Sequence, residues 1–153
     1  MKKIKAGWLQ SELVLEVVAA LGADHIRFVG GAVRDTLLAL PVDDIDAATL
    51  HKPEQTIALL KEAGIRVVPT GLKHGTVTAV KGEAHIEITT LRVDVETDGR
   101  HAEVAFTESW LEDAKRRDFT FNALYLSPDG ALFDPFGGTE DLEAGRVNFI
   151  GDA

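Results

Sequence analysis

The sequence predicts an α/β (α+β) domain with a small mixed sheet flanked by helices, and three observations carry that prediction. Short apolar runs with strand character alternate with helical segments, so neither an all-helical nor an all-strand fold fits. Two strand-like runs, 75–81 and 84–90, are separated only by a glycine-containing connection, the pattern of an antiparallel hairpin. At 153 residues, with 45% hydrophobic and 27% charged side chains, the chain suits one domain with a real core and no staples.

Each element follows from local chemistry. Ser11 to Leu21 reads as an amphipathic helix, because Leu13, Val17, Ala20 and Leu21 recur at helical spacing. "IRFV", Ile26 to Val29, is a short buried strand, and Ala32 to Leu40 a second helix stopped by Pro41. "DIDAAT" follows as a strand. Pro53 then opens a helix that runs to Ala63 and ends at Gly64. Arg92 to Glu108 is polar and weakly periodic, with an Asp-Gly turn signal, and is expected as a mobile loop with at most an edge strand. Ser109 caps a short helix through Arg116, and strands are expected near 123–126 and 132–134.

Composition excludes several classes. There is no cysteine, so neither a disulfide framework nor a thiolate metal site can form, which suits a reducing compartment. The N-terminal lysines precede an apolar stretch, but Glu12 and Glu16 interrupt it, against a signal peptide. No run approaches membrane-spanning length, and a soluble, cytoplasmic protein is the expectation. A net charge of -9 argues against a basic nucleic-acid surface within these residues, but leaves room for a polyanion held by metal ions.

The candidate chemistry begins in "FVGGAVRDTLLALPVDDIDAATL", Phe28 to Leu50. Gly30 and Gly31 stand between a strand and a helix N-terminus. Glycine there permits positive φ and close backbone approach to phosphate, or simply makes a tight turn. Asp44 and Asp46 are two apart on a strand and share a face, while Asp43, Ile45 and Ala47 face the other way. Two aspartates on one strand face repel unless a cation sits between them, or unless the strand runs out into a solvated turn. In "AHIEITT", Ile86 and Ile88 mark the buried face, so His85, Glu87 and Thr89 share the other. If this strand lies beside "DIDAAT", Glu87 completes a three-carboxylate set. Such a set holds two magnesium ions roughly 3.5–4 Å apart for in-line displacement at phosphorus. In "KRRDFTFNAL", Lys115 to Leu124, the arginine forks suit phosphate and the Asp and Asn suit ribose hydroxyls, though a helix C-terminus favours the same cations. His74, beside Gly75, could contact a ligand. His85 and His101 read as surface residues, and Trp8 and Trp110 as helix anchors.

In this order, "GGAVRD", "DDID", "EIT", "RRDFTFNAL" and "DPFGGTEDLEAGRV" resemble the head domain of bacterial class II tRNA nucleotidyltransferases and their sister poly(A) polymerases, members of the polymerase-beta-type nucleotidyltransferase superfamily. The resemblance runs from Ile26 to Gly151. It implies a polymerase-beta-type head fold and a magnesium-dependent transfer of CMP or AMP from CTP or ATP to the 3′ end of tRNA. It also implies residue roles: Gly30, Gly31 and Arg34 as a phosphate turn, Asp44 and Asp46 as the metal pair, and Glu87 as the third acidic position. Arg116, Arg117, Asp118 and Asn122 match the segment that contacts sugar and phosphates, and Arg92 to Glu108 the loop that arranges nucleotide and primer.

Two departures stand out: "LLALP" replaces the usual Gly-Arg before the proline, and Asn148 occupies a usually basic position. The whole of 1–153 is expected to be the head, without the neck, body and tail that select the base and grip tRNA. "EDAKR", Glu112 to Arg116, matches the base-selecting Glu-Asp-x-x-Arg but overlaps the sugar-binding segment and is set aside. The alternatives are a poly(A) polymerase head and a non-catalytic nucleotide-binding module or subunit of a split enzyme.

Overall fold

A 3-10 turn at Gly7–Gln10 leads into helix α1, Glu12–Leu21, which buries Leu13, Val14, Val17 and Leu21 along one stripe. The computed structural model describes residues 4–42, 44–97, 101–117, 119–145 and 150. After α1 come strand β1 (Ile26–Val29), helix α2 (Gly31–Leu37), strand β2 (Ile45–Thr49), helix α3 (Pro53–Glu62), and strands β3 (Arg66–Gly71), β4 (Thr76–Lys81) and β5 (Ala84–Thr90). Strands β6 (Arg92–Thr97) and β7 (His101–Phe106), helix α4 (Trp110–Lys115), strands β8 (Tyr125–Leu126) and β9 (Leu132–Phe133), and helix α5 (Gly138–Ala144) complete the order.

Seven strands form one sheet in the order β3-β4-β5-β2-β1-β8-β9, and β6 and β7 form a separate two-stranded ribbon. The β2–β5 pair is parallel and the other pairs are antiparallel, so the sheet is mixed as expected. Alternation divides the faces. Ile26, Phe28, Ala47, Ile86, Ile88 and Leu126 point into the larger core with residues of α1, α2 and α3. Val29, Ala48 and Tyr125 point the other way, into a smaller cluster with Leu91, Ala114 and Ala123. Trp8 anchors the N-terminal turn, donating its indole N–H to Thr36 Oγ1 at 2.8 Å with its ring edge-on to Phe28. Trp110 anchors α4 against Tyr125. Fully burying a large apolar side chain such as Phe28 contributes about 1.5–3 kcal/mol. No described helix is long and apolar enough to cross a membrane.

The structure corrects two local readings, the end of α2 and the loop at 92–108, and adds two elements the sequence did not announce, β3 and α5. Helix α2 ends at Leu37, not Leu40. Ala39 takes φ +58, its N–H bonds Thr36 O and the Leu40 N–H bonds Asp35 O, which closes the helix before Pro41 can clash with it. Strand β3 carries Pro69, which masked it in the sequence; as the edge strand, with a register shift between Val68 and Gly71, it tolerates the missing donor. Arg92 to Glu108 is chiefly the antiparallel ribbon β6–β7 and not a loop; the valine alternation of "RVDVET" was obscured by its polar composition. The segment after Pro135 contains α5, whose first N–H groups, at Gly138 and Thr139, donate to the Asp134 carboxylate at 2.7 and 3.0 Å.

Candidate active site

The parallel pairing of β2 with β5 aligns Asp46 with Glu87, and the neighbouring β4 aligns Thr78 with Glu87. On the other side Val29 of β1 lies opposite Asp46, and Tyr125 of β8 opposite Val29. One row across the sheet therefore reads Thr78, Glu87, Asp46, Val29, Tyr125, all on the face away from the large core. The Thr78, Glu87 and Asp46 end opens into a cleft of about 460 Å³, also lined by Asp44, Ile45, Thr70 and His85. Asp44, just ahead of β2, joins Asp46 and Glu87 as the alternation implied.

The electrostatics of this cleft are unbalanced. The Asp46 carboxyl is pushed up to about 6, first by burial, then by its hydrogen bond and like charge with Glu87 and by Asp44, while Arg117 pulls it down. Among the described residues no three His, Asp or Glu side chains are gathered closely enough to hold a metal ion as they stand. The donor set nonetheless fits a hard divalent cation: all-oxygen, acidic and partly desolvated, with a like-charge repulsion that a cation would relieve. His85 is exposed, as expected, yet it belongs to this cleft, with Nε2 3.3 Å from Asp44 Oδ1. Thr70 and Thr78 link hydroxyls at 2.8 Å on the opposite wall.

The glycine turn lies beside the acidic pair, because Val29 is both the last residue of β1 and the partner of Asp46. Gly30 has φ +76 and ψ -139, a conformation open in practice only to glycine. No side chain caps the helix N-terminus it begins. The Arg34 guanidinium folds back over Gly31, 3.4 Å from where a Cβ would stand, with Nε 3.1 Å from Asp35 Oδ1.

The basic segment is organised by a residue the sequence reading assigned no role, Asp113, which is 1% exposed. Its Oδ1 accepts from the Arg92 backbone N–H at 3.0 Å and Arg116 Nε at 3.2 Å. Its Oδ2 accepts from Arg117 Nη2 at 3.2 Å and Tyr125 Oη–H at 2.6 Å. Arg117 Nε also donates to Tyr125 Oη at 3.0 Å. Burial would raise the Asp113 carboxyl, but Arg117 and Arg116, with the Tyr125 and Arg92 bonds, hold it below the usual carboxylate range. The signal was available: Asp113 stands three and four residues before the arginines on a helix, within "EDAKR".

Not every candidate converges. Arg117 is close enough to act on Asp46, whereas Arg116 lines a separate shallow hollow with Val93, Glu112 and Lys115. Asn122 sits in a 3-10 turn, Thr120–Asn122, tied down by the Thr120 hydroxyl on the Asp141 carboxylate, and is not among the residues lining the cleft. Asp118 and Asn148 lie outside the described residues.

Comparison with known proteins gives a consistent answer. A family model described as the poly(A) polymerase head domain matches residues 26–148. The chain is 53% identical over 130 residues to the human mitochondrial CCA tRNA nucleotidyltransferase 1, which covers 84% of this chain and 30% of that protein. It is 46% identical over 128 residues to a Streptococcus pyogenes CCA-adding enzyme, 82% of this chain and 31% of that one. Among solved structures, the Bacillus stearothermophilus CCA-adding enzyme in complex with CTP superposes with a TM-score of 0.79 at 37% identity, covering 92% of this chain and 33% of that chain. The chain thus spans about a third of the length of the relatives it matches.

Proposed function

The chain belongs to the poly(A) polymerase head-domain family, and from that premise we propose that residues 1–153 are the catalytic head of a magnesium-dependent tRNA nucleotidyltransferase of the CCA-adding type. It transfers CMP and AMP from CTP and ATP to the tRNA 3′ end and releases pyrophosphate. Base choice and the grip on tRNA belong to neck, body and tail regions outside these residues. A cytoplasmic location is part of the proposal and rests on the cysteine-free composition; the human relative is named mitochondrial, and cell fractionation decides between the two.

The observation that carries the reading is the in-register Asp46–Glu87 pair, with Asp46 near 6, beside the Gly30 turn. Asp44 and Asp46, with Glu87 beside them, would hold Mg²⁺, which when bound supplies charge neutralisation at the phosphates and acidifies the attacking hydroxyl. The uncapped N–H groups after Gly30 and the Arg34 guanidinium hold the triphosphate. Arg117, whose charge reaches Asp46, holds phosphate, and the family resemblance assigns Arg116, Asp118 and Asn122 to sugar and phosphates, although Arg116 and Asn122 do not line the cleft itself. The RNA 3′ oxygen forms its bond to the α-phosphorus as the bridging bond to the β-phosphate breaks. The hydroxyl proton passes to a cleft carboxylate, and pyrophosphate leaves. The names of the relatives favour CCA addition over poly(A) synthesis, and an intact Asp44, Asp46 and Glu87 favours an enzyme over a non-catalytic module.

The test is incorporation of labelled CTP and ATP, with Mg²⁺, into a tRNA lacking its 3′ end, by this chain alone and with the remaining regions supplied. We expect ordered C-then-A addition with the remaining regions present, slow or absent extension by the chain alone, and about a 10³-fold loss or more in Asp46→Asn. Absence of label under every condition would overturn the catalytic reading.

A further inference from the structure

We propose that Asp113 is a positioning residue: its single buried carboxylate fixes Arg116, Arg117 and the root of the β6–β7 ribbon together, so that nucleotide capture and ribbon placement are coupled. The inference rests on the nucleotide-binding reading of the two arginines.

The geometry is specific. A carboxylate offers about four acceptor directions, and all four are used, by one backbone N–H, two guanidinium groups and one phenol. The backbone donor is Arg92, the first residue of β6, so the carboxylate that aims the arginines also pins the ribbon where it leaves the sheet. Two arginines share one aspartate, which leaves the cluster a net positive charge beside the acidic cleft. Tyr125 joins the assembly to the sheet row that contains Asp46, with the Arg117 guanidinium 5.4 Å from its ring.

The ribbon is held at a second place by the turn that leads into the cleft strand β4. Arg92 Nη1 donates to His74 O at 2.9 Å. The Phe106 ring, at the end of β7, presses on Gly75, where a Cβ would meet it at 2.6 Å. His74 and Gly75 lead directly into β4, which carries Thr78 of the cleft wall. Movement of the ribbon therefore acts on both sides of the carboxylates, through Asp113 on the arginine side and through Gly75 on the threonine side. A buried ion cluster of this kind gives little stability over a well-packed apolar one, so its directional bonds are its distinctive contribution.

The experiment compares the wild-type chain with Asp113→Asn and Tyr125→Phe, each checked for folding by circular dichroism, using CTP with Mg²⁺ as the probe. Calorimetry gives the affinity, and amide hydrogen exchange follows 92–97 and 101–106 with and without CTP. In the wild type, CTP is expected to change the protection of the ribbon. Asp113→Asn should weaken CTP about tenfold and Tyr125→Phe about threefold, and in Asp113→Asn the ribbon should no longer respond. A folded Asp113→Asn with wild-type affinity and a wild-type ribbon response overturns the proposal. If that variant does not fold, wild-type behaviour of Tyr125→Phe overturns it instead. Wild-type chain that binds CTP with no response of the ribbon overturns the coupling alone. Wild-type chain that binds no CTP overturns the nucleotide reading and this inference with it.

Discussion

Asp46 and Asp113 belong to neighbouring regions of one sheet face, and their carboxyls are driven in opposite directions. Asp46, in the cleft, has two other carboxylates for company and is pushed up to about 6. Asp113, in the arginine nest, is more deeply buried, yet it is held below the usual carboxylate range because four donors surround it. Burial alone would have raised both. What differs is the company: Asp113 is surrounded by donors from within the chain, whereas Asp46 is surrounded chiefly by like charge, with Arg117 opposing it.

The largest expected effect lies in the nest. Asp113→Asn leaves two guanidinium groups without their counter-charge and should cost about 3 kcal/mol in urea denaturation at neutral pH. The Asp113 contribution has a defined window. Because its carboxyl is depressed, the stability it adds is present above the ordinary carboxylate value near 4 and is lost as pH falls through the lower folded value. A cost that did not diminish in acid would break the comparison.

Next is the contact that seats the ribbon. Gly75→Ala places a side chain at φ +77 against Phe106, and should cost about 2 kcal/mol while increasing amide exchange in β6 and β7. An unchanged ribbon would mean that Asp113 alone positions it.

Asp46→Asn should act in the opposite sense from Asp113→Asn. A raised carboxyl favours the fold when protonated, so its contribution is present below about 4 and is lost as pH rises through about 6. Removing the charge should therefore stabilise the chain at pH 7 without divalent cations by about 1 kcal/mol, after discount for partial exposure, or about 3 °C in Tm. The gain should fade as pH falls through 6 and vanish near 4. Destabilisation at neutral pH would show that the cleft, like the nest, is already satisfied.

The smallest effect separates charge from backbone strain. Ala39 holds φ +58 in the turn that precedes the acidic strand, where glycine would sit without strain. Ala39→Gly should add about 0.5 kcal/mol, the relief of strain less the greater freedom of the unfolded chain. Because Ala39 carries no charge, this gain should be independent of pH, which calorimetry at pH 5 and 8 can check.

Much of the cleft was legible in the chain because its signals are local. The Asp44–Asp46 spacing, the Ile86–Ile88 alternation that turns Glu87 outward, and the glycines after Val29 each depend on the backbone period or on the φ of one residue. The Ser109 cap is likewise local and is present, with its hydroxyl accepting from the Glu112 N–H at 3.1 Å. Local signals failed where burial or docking overrode them: the proline-bearing β3 survives only as an edge strand, and the polar β6–β7 ribbon owes its place to Asp113 and Gly75.

The sequence by itself determined which faces of β2 and β5 carry carboxylates, and that the chain breaks into strand, glycine turn and helix after Val29. Only the tertiary structure decided that Asp46 lies beside Glu87, that Tyr125 shares their row, and that Asp113 gathers two arginines and the ribbon. The physical reason is range. Periodicity and backbone preference are set by residues a few positions apart, whereas pairing, burial and charge compensation depend on groups brought together from distant parts of the chain, as Asp46 and Glu87 are from different strands.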